Sequence, residues 1–183
     1  MQRTLSNPML KPRSAVIVAL PIPPAIEAIR RVHVPVAGLG VPPHVTILSP
    51  FMPADALQAS VRRRLAAIAA ASPAFEVTLS DLESFPEALY LAPRPDEPFR
   101  RLSVEVAKAF PGFPPYGNPS YRPEAGVPHL TIAMANGASF EDLATTATLH
   151  LPVVRVAQFL TVINERPDGH WQIRWRIPLG APG

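Results

Sequence analysis

The chain contains no cysteine among its 183 residues, and its apolar stretches are all short. Without cysteine, the protein has no disulfide, no thiolate metal ligand and no cysteine nucleophile. Stretches such as residues 14–24 are interrupted by proline and fall well below the roughly 20 residues that a membrane helix needs. The N-terminus lacks an apolar segment followed by a small-residue cleavage site. These absences predict a cytoplasmic protein that does not enter a membrane.

Lysine is also scarce, because Lys11 and Lys108 are the only lysines among 17 basic residues, which leaves 17 − 2 = 15 arginines. The formal net charge is only +3. The planar fork of arginine suits phosphate oxygens, but a bias in genome composition explains the same usage equally well. The charge therefore permits an anionic ligand without indicating one.

Apolar residues make up 48% of the chain and charged residues 17%, which is typical of a folded globular protein. We expect an irregular lead-in over residues 1–13 and a single two-lobed domain over residues 14–183. The chain has no P-loop and no dinucleotide-binding glycine pattern. It also has no histidine and carboxylate cluster at metal-binding spacing. We therefore expect neither a cofactor nor a metal.

One short motif, Pro-His-x-Thr-Ile, occurs twice, at residues 43–47 and 128–132, with the histidines 129 − 44 = 85 residues apart. Side chains alternate along a β-strand, so each histidine and the threonine two residues later share a face. Two such strands across a groove would bring together His44, Thr46, His129 and Thr131. One imidazole can then act as general base and the other as general acid, while the hydroxyls donate to phosphate oxygens.

Hydrophobic periodicity places the motifs on strands. It predicts strands at residues 14–20, 44–48, 75–79, 89–91, 129–133, 153–164 and 171–177. It predicts helices at residues 23–31, 54–71 and 97–110, and a short helix that begins with a capping box at residues 139–142. Each half has one helix before its motif strand and another after it. The sequence therefore predicts an α+β fold of two pseudo-symmetric lobes, with mostly antiparallel sheets, flanking helices and a central cleft. Since one chain completes that cleft, we expect a monomer.

The two motifs resemble the signature of the 2H phosphoesterase superfamily, which includes the 2′-5′ RNA ligase-like proteins and cyclic phosphodiesterases. The resemblance runs over residues 14–178, is strongest at residues 42–51 and 127–131, and points to a bacterial branch. It implies a bilobal fold with both His-x-Thr strands in a central cleft. It also implies metal-free hydrolysis of 2′,3′-cyclic phosphates or 2′-5′ phosphodiesters, with reverse 2′-5′ ligation by the same pair.

On this interpretation, His44 and His129 are catalytic and Thr46 and Thr131 bind phosphate. The partner is an RNA end or a small nucleotide with a cyclic phosphate or a 2′-5′ linkage. The near-identical motifs leave open which histidine is the base. A non-catalytic module that binds phosphorylated RNA ends or small nucleotides is the alternative, followed by a structural protein with a vestigial site. The other three histidines are expected to have structural or surface roles: His33, His150 and His170.

Further candidates lie near the motifs. Tyr116, Tyr121 and Arg122 belong to the proline-rich segment 111–127 that leads into the second motif, where they can stack on a base or contact a phosphate. Packing of the segment onto the body explains the tyrosines equally well. Phe51 follows the first motif and is a candidate to line the cleft, with core packing as its alternative.

Overall fold

Residues 13–135 and 139–180, which the computed structural model describes, form two four-stranded sheets and four α-helices. The strands are β1 (Ser14–Ala19), β2 (His44–Leu48), β3 (Phe75–Phe85), β4 (Ala88–Arg94), β5 (Leu130–Met134), β6 (Val153–Ala157), β7 (Phe159–Glu165) and β8 (Trp171–Pro178). The helices are α1 (Pro24–His33), α2 (Ala59–Ala70), α3 (Glu97–Ala109) and α4 (Phe140–Thr148). Except for residue 13, the predicted lead-in lies outside the described residues.

The predicted α+β fold with two antiparallel sheets is confirmed. The first sheet has the strand order β2-β1-β7-β8 and the second has the order β5-β4-β3-β6, and every neighbouring pair is antiparallel. Both motif strands, β2 and β5, are edge strands, and they lie next to each other. The two sheets therefore meet at the edges that carry the histidines.

The prediction of one strand over residues 153–164 is wrong. The chain leaves the second sheet after β6 and enters the first sheet as β7, with Gln158 between the two strands. Apolar, strand-forming residues continue on both sides of this point, and they carry no information about which sheet a strand joins. The predicted hairpin at the end of the chain is therefore only β7 and β8, and it completes the first sheet rather than the second.

Two further boundaries differ from the prediction by five residues or more. The expected helix over residues 54–71 begins with a separate 3₁₀ turn, Ala54–Ala56, and Leu57 is non-helical (φ −73°, ψ 80°) and buried. Strand β3 continues to Phe85 rather than ending at residue 79, because its outer half carries charged side chains that hide the apolar alternation. The serine half of the predicted capping box is confirmed, since Ser139 Oγ accepts a hydrogen bond from the Asp142 backbone N–H at 3.4 Å.

Helix α1 connects the two lobes, because it follows β1 of the first sheet in sequence and packs against β5 of the second. Its buried face carries Ile26 and Arg30, which lie four residues apart on one side of the helix. A buried apolar cluster drawn from both sheets and from the helices forms the main core. Among the helices of residues 13–135 and 139–180, none is both long and apolar enough to cross a membrane.

Candidate active site where two edge strands meet

The two motif strands present histidine and threonine on the same face, as predicted. In β2, Val45 and Ile47 are buried in the core while His44 and Thr46 are only half-buried. The second motif repeats this alternation around Leu130, which is fully buried. Each threonine lies directly opposite a residue on the neighbouring strand of its own sheet, Ile17 for Thr46 and Tyr90 for Thr131.

All four predicted side chains line one cavity of about 170 Å³. Its wall includes His44, Thr46, His129 and Thr131. The cavity has open access to solvent and receives residues from both sheets. The structure therefore brings together two imidazoles and two hydroxyls that are distant in the sequence.

The two histidines are held in the same way. His44 Nδ1 lies 2.7 Å from the carbonyl oxygen of Pro42, and His129 Nδ1 lies 2.8 Å from that of Val127. A carbonyl oxygen can only accept, so Nδ1 carries the hydrogen in both rings. In the neutral tautomer each Nε2 is then an unprotonated nitrogen that can accept a proton from a ligand.

A buried arginine that sequence reasoning missed lies beside the first histidine. Arg30 is only 2% exposed, and its Nη2 donates to the carbonyl oxygens of Val41 and Pro42 at 3.0 and 3.1 Å. The Pro42 carbonyl is thus shared by Arg30 and His44. Glu27 lies 3.5 Å from Arg30 Nη1 and partly balances the charge. Arg30 also lines the cavity that contains the two motifs.

Burial, with help from nearby positive charge, keeps His44 neutral. Burial lowers the pKa of His44 to about 4, and the positive charge of Arg30 and the neighbouring ring of His129 act in the same direction. The hydrogen bond to the Pro42 carbonyl opposes this shift but does not cancel it. His44 is therefore a proton acceptor over the whole neutral range.

The second histidine has an aromatic environment instead. The rings of Phe85 and Tyr90 stack at 4.5 Å and contact the His129 ring edge-on at 5.2 and 5.5 Å. Tyr90 Oη donates to Glu83, which is also paired with Arg94. Sequence reasoning missed these neighbours because they come from β3 and β4, far from the motif in the chain.

Of the remaining predicted residues, the two tyrosines lie beside the motifs, whereas Arg122 and Phe51 do not line the groove or the cavity. Tyr116 and Tyr121 line a groove together with Thr46 and His129, and the Tyr116 N–H donates to the Ser49 carbonyl at 2.7 Å, which ties the loop to the end of β2. Arg122 is exposed and donates weakly to neighbouring carbonyls of its own loop. Phe51 is buried against Phe110 and Phe113 rather than facing the cavity.

Tyr116 also has a strained backbone. Its φ of 54° lies in the left-handed region that side chains other than glycine rarely adopt. Such strain persists only where surrounding contacts hold the residue in place. Its ring packs edge-on against Tyr121 at 4.9 Å. The two tyrosines thus form one wall of the groove beside the second motif.

In the two described ranges of the chain, no group of three or more histidine, aspartate or glutamate side chains is arranged to hold a metal ion. The chemistry that the cavity offers through its own residues is proton transfer by imidazole and hydrogen bonding by hydroxyl.

Comparison with known proteins agrees with the geometry. Residues 18–161 match the model of the 2′-5′ RNA ligase superfamily. TT0787 of Thermus thermophilus aligns with 93% of this chain and 100% of its own, with a TM-score of 0.58 and 16% identity. Escherichia coli LigT in its apo form aligns with 93% of this chain and 99% of its own, with a TM-score of 0.55 and 18% identity. A search of the curated proteins finds no match.

The family model covers well over half of the chain, including both His-x-Thr motifs. The structural neighbours extend the same fold over nearly the whole chain. The site is built from paired His-x-Thr motifs, and the family model and the fold both match. This chain therefore belongs to the 2′-5′ RNA ligase superfamily of 2H phosphoesterases.

Proposed function

We propose that the protein is a metal-independent phosphoesterase that hydrolyses 2′,3′-cyclic phosphates or 2′-5′ phosphodiesters of RNA or nucleotides. The observation that carries this proposal is the single cavity lined by both histidines and both threonines. Family membership supports the class of reaction. LigT structures with 3′-AMP and with NADP⁺ show that this neighbour binds nucleotides, and we extend nucleotide binding to this chain.

In the proposed reaction His44 is the base and His129 the acid. The neutral Nε2 of His44 takes a proton from water as the water oxygen attacks phosphorus. Protonated His129 gives its Nε2 proton to the ribose oxygen that leaves. Each threonine hydroxyl donates to a non-bridging oxygen, where negative charge grows as the new bond forms.

The surroundings of His44 are the basis for assigning the base, because burial lowers the pKa of this histidine and Arg30 adds to the effect. The charge of Arg30 opposes a second positive charge on the ring of His44, with which Arg30 shares the Pro42 carbonyl. A histidine that remains neutral can accept a proton but has none to give through Nε2. We therefore assign the donor role to His129. By microscopic reversibility the same pair can join a cyclic phosphate to a hydroxyl group, which accounts for reverse 2′-5′ ligation without ATP.

The experiment that tests the proposal is turnover in EDTA. The protein is incubated with adenosine 2′,3′-cyclic phosphate and with 2′-5′-linked and 3′-5′-linked ApA, and the products are separated by chromatography. We expect cleavage of the cyclic phosphate, of the 2′-5′ dinucleotide, or of both. The 3′-5′ dinucleotide is the matched control for linkage and should remain intact.

Two outcomes contradict the proposal in different ways. Saturable binding without any product supports the alternative, a module that binds phosphorylated RNA ends or small nucleotides. Product that forms only when EDTA is replaced by a divalent cation contradicts the metal-independent mechanism while leaving the phosphoesterase class in place.

A further inference from the structure

The groove that the two tyrosines line continues from the central cavity on the side of the acid His129. Thr46 and His129 belong to the walls of both spaces, so the groove adjoins the proposed reaction centre. Its volume is about 30 Å³, compared with about 170 Å³ for the central cavity. A space of this size holds roughly two water-sized groups. It therefore admits the oxygens of a phosphate group and is too small for a nucleobase.

Helix α3 brings an arginine to the wall of this groove. The helix packs against β2 and against the 3₁₀ turn Pro123–Ala125 in the loop before β5. Its residues Arg100 and Ser103 both line the groove, because residues three apart lie on the same side of a helix. Of the described residues that line the groove, Arg100 alone has a side chain that is charged throughout the neutral range. The groove therefore has a fixed positive charge that a carboxylate in its wall does not balance.

A carboxylate outside the groove wall holds the guanidinium in place. Arg100 Nη1 and Nη2 each donate to one carboxylate oxygen of Asp96, the second at 2.8 Å. This bidentate pair fixes the plane of the guanidinium and leaves its other N–H donors available. The Arg100 side chain is 30% exposed. An anion in the groove can therefore contact the guanidinium without displacing Asp96.

Hydroxyl groups complete the polar wall. Ser49, Ser103 and Tyr121 all line the groove. Burial raises the pKa of Tyr121, so its hydroxyl stays protonated at neutral pH and can donate. A guanidinium together with hydroxyl donors is a combination that binds phosphate oxygens. The chemistry of the wall and the narrow space thus favour the same ligand, a phosphate group.

The proposed reaction indicates which phosphate the groove can reach. His129 protonates the ribose oxygen that leaves, so this ribose lies beside His129. The groove begins at the same histidine and extends to α3. In the nucleotide that carries the cyclic phosphate, the next phosphate is the one on the 5′-oxygen of that ribose. This 5′-phosphate is therefore the group that lies on the side of the groove.

We propose that the groove is a second phosphate subsite, which binds the 5′-phosphate of the nucleotide whose 2′,3′-cyclic phosphate is cleaved, with Arg100 as its main donor. The inference rests on the proposed function and on the assignment of His129 as acid. A 5′-phosphate is a monoester in a mononucleotide and a diester within an RNA chain. Both forms offer the oxygens that Arg100 and the hydroxyls bind. The protein therefore discriminates against a nucleoside cyclic phosphate that lacks a 5′-phosphate.

The test compares three substrates with the wild-type protein in EDTA. Adenosine 2′,3′-cyclic phosphate has no 5′-phosphate, its 5′-phosphorylated form has a monoester, and ApA that ends in a 2′,3′-cyclic phosphate has a diester. The gain is the kcat/KM of each phosphorylated substrate divided by that of adenosine 2′,3′-cyclic phosphate. We expect a gain of about tenfold from the charge-assisted hydrogen bonds of Arg100. A gain with only one of the two substrates identifies the monoester or the diester as the form that is bound.

Variants of helix α3 then locate the subsite. Arg100→Met should reduce the gain to nearly one, because methionine has no N–H donor. Arg101→Met is the matched control. Arg101 pairs with Glu97 four residues before it, as Arg100 pairs with Asp96, but it does not line the groove, so the gain should remain. If Arg100→Met does not fold, Ser103→Ala removes a single hydroxyl of the same wall and should reduce the gain about threefold.

The outcomes separate the subsite from the function on which it rests. Cleavage of all three substrates with equal kcat/KM would contradict the subsite alone. A gain that survives in a folded Arg100→Met protein would also contradict it, because the 5′-phosphate would then bind elsewhere. Failure of the wild type to cleave any of the three would contradict the proposed hydrolysis of cyclic phosphates itself.

Discussion

At the scale of single residues, the two motifs are alike in sequence but have different surroundings. His44 adjoins the charge of the buried Arg30, whereas the aromatic rings of Phe85 and Tyr90 flank His129. Two histidines in different environments are biased toward different protonation states, and so toward the separate roles of acid and base. The difference between the surroundings of His44 and His129 therefore comes from residues outside the two motifs.

Replacing Arg30 should move the pH dependence of the reaction. Because burial first, and then Arg30 and His129, lower the pKa of His44 to about 4, the acidic limb of kcat/KM should lie below the range of an ordinary histidine. Activity falls as pH drops through that pKa, since the protonated base cannot accept a proton. Arg30→Met removes a charge that opposes protonation, so the limb should move to higher pH. Profiles of kcat/KM against pH in metal-free buffer measure the shift.

Arg30→Lys serves as the matched variant, because it retains the positive charge while losing the planar fork. Its acidic limb should stay closer to that of the wild type than the limb of Arg30→Met. A melting curve for each variant separates loss of fold from a change in titration. An unchanged limb in a folded Arg30→Met protein would show that Arg30 does not hold His44 neutral.

The position of Arg30 beside the cavity was only partly readable from the sequence. It lies four residues after Ile26, so an arginine on the apolar face of a helix was a usable signal. That signal does not say which chain segment the guanidinium meets. Its contact with the Pro42 carbonyl depends on how α1 packs beside the loop before β2, and this packing is a tertiary property.

At the scale of elements, the loop before β5 positions the tyrosine wall. Gly126 lies so close to Tyr121 that a Cβ at this position would overlap the tyrosine hydroxyl. The end of a tyrosine side chain can move, so Gly126→Ala should displace the ring rather than unfold the loop. If Tyr121 contacts the substrate, KM should rise about threefold or more while kcat changes little, because a binding contact is lost.

Gly112→Ala is the matched control in the same loop, because a Cβ at Gly112 meets no atom within 4 Å. KM and kcat are measured for both variants on a substrate that the wild type cleaves. An unchanged KM in Gly126→Ala would mean that Tyr121 only packs the loop. This outcome would support the packing interpretation that the sequence left open.

Element types were readable from the sequence, whereas their sheet membership was not. The short β-branched stretch of β1 and the motif strand β2 were predicted close to their observed bounds, because buried strands have a clear apolar signature. The division between β6 and β7 was missed, although each half was correctly predicted as strand. Partner choice depends on contacts with β3 and β1, which are distant in sequence.

At the scale of the whole molecule, the cleft exists because the chain returns to its first sheet. Strands β7 and β8 join β1 after the second sheet is complete, so the lobes interleave instead of following one another along the chain. This arrangement leaves β2 and β5 as edge strands that meet. One chain thus supplies both histidines and both threonines to a single cavity.

The central claim is that His44 and His129 are the base and the acid, and their separate replacement tests it most directly. kcat/KM in EDTA is measured for His44→Ala and His129→Ala on a substrate that the wild type cleaves. His150→Ala is the matched control, since His150 is an exposed histidine outside both motifs. Each motif variant should lose a factor of about 10²–10⁴ while keeping its fold, and the control should keep full activity. Full activity in either folded motif variant would contradict the account.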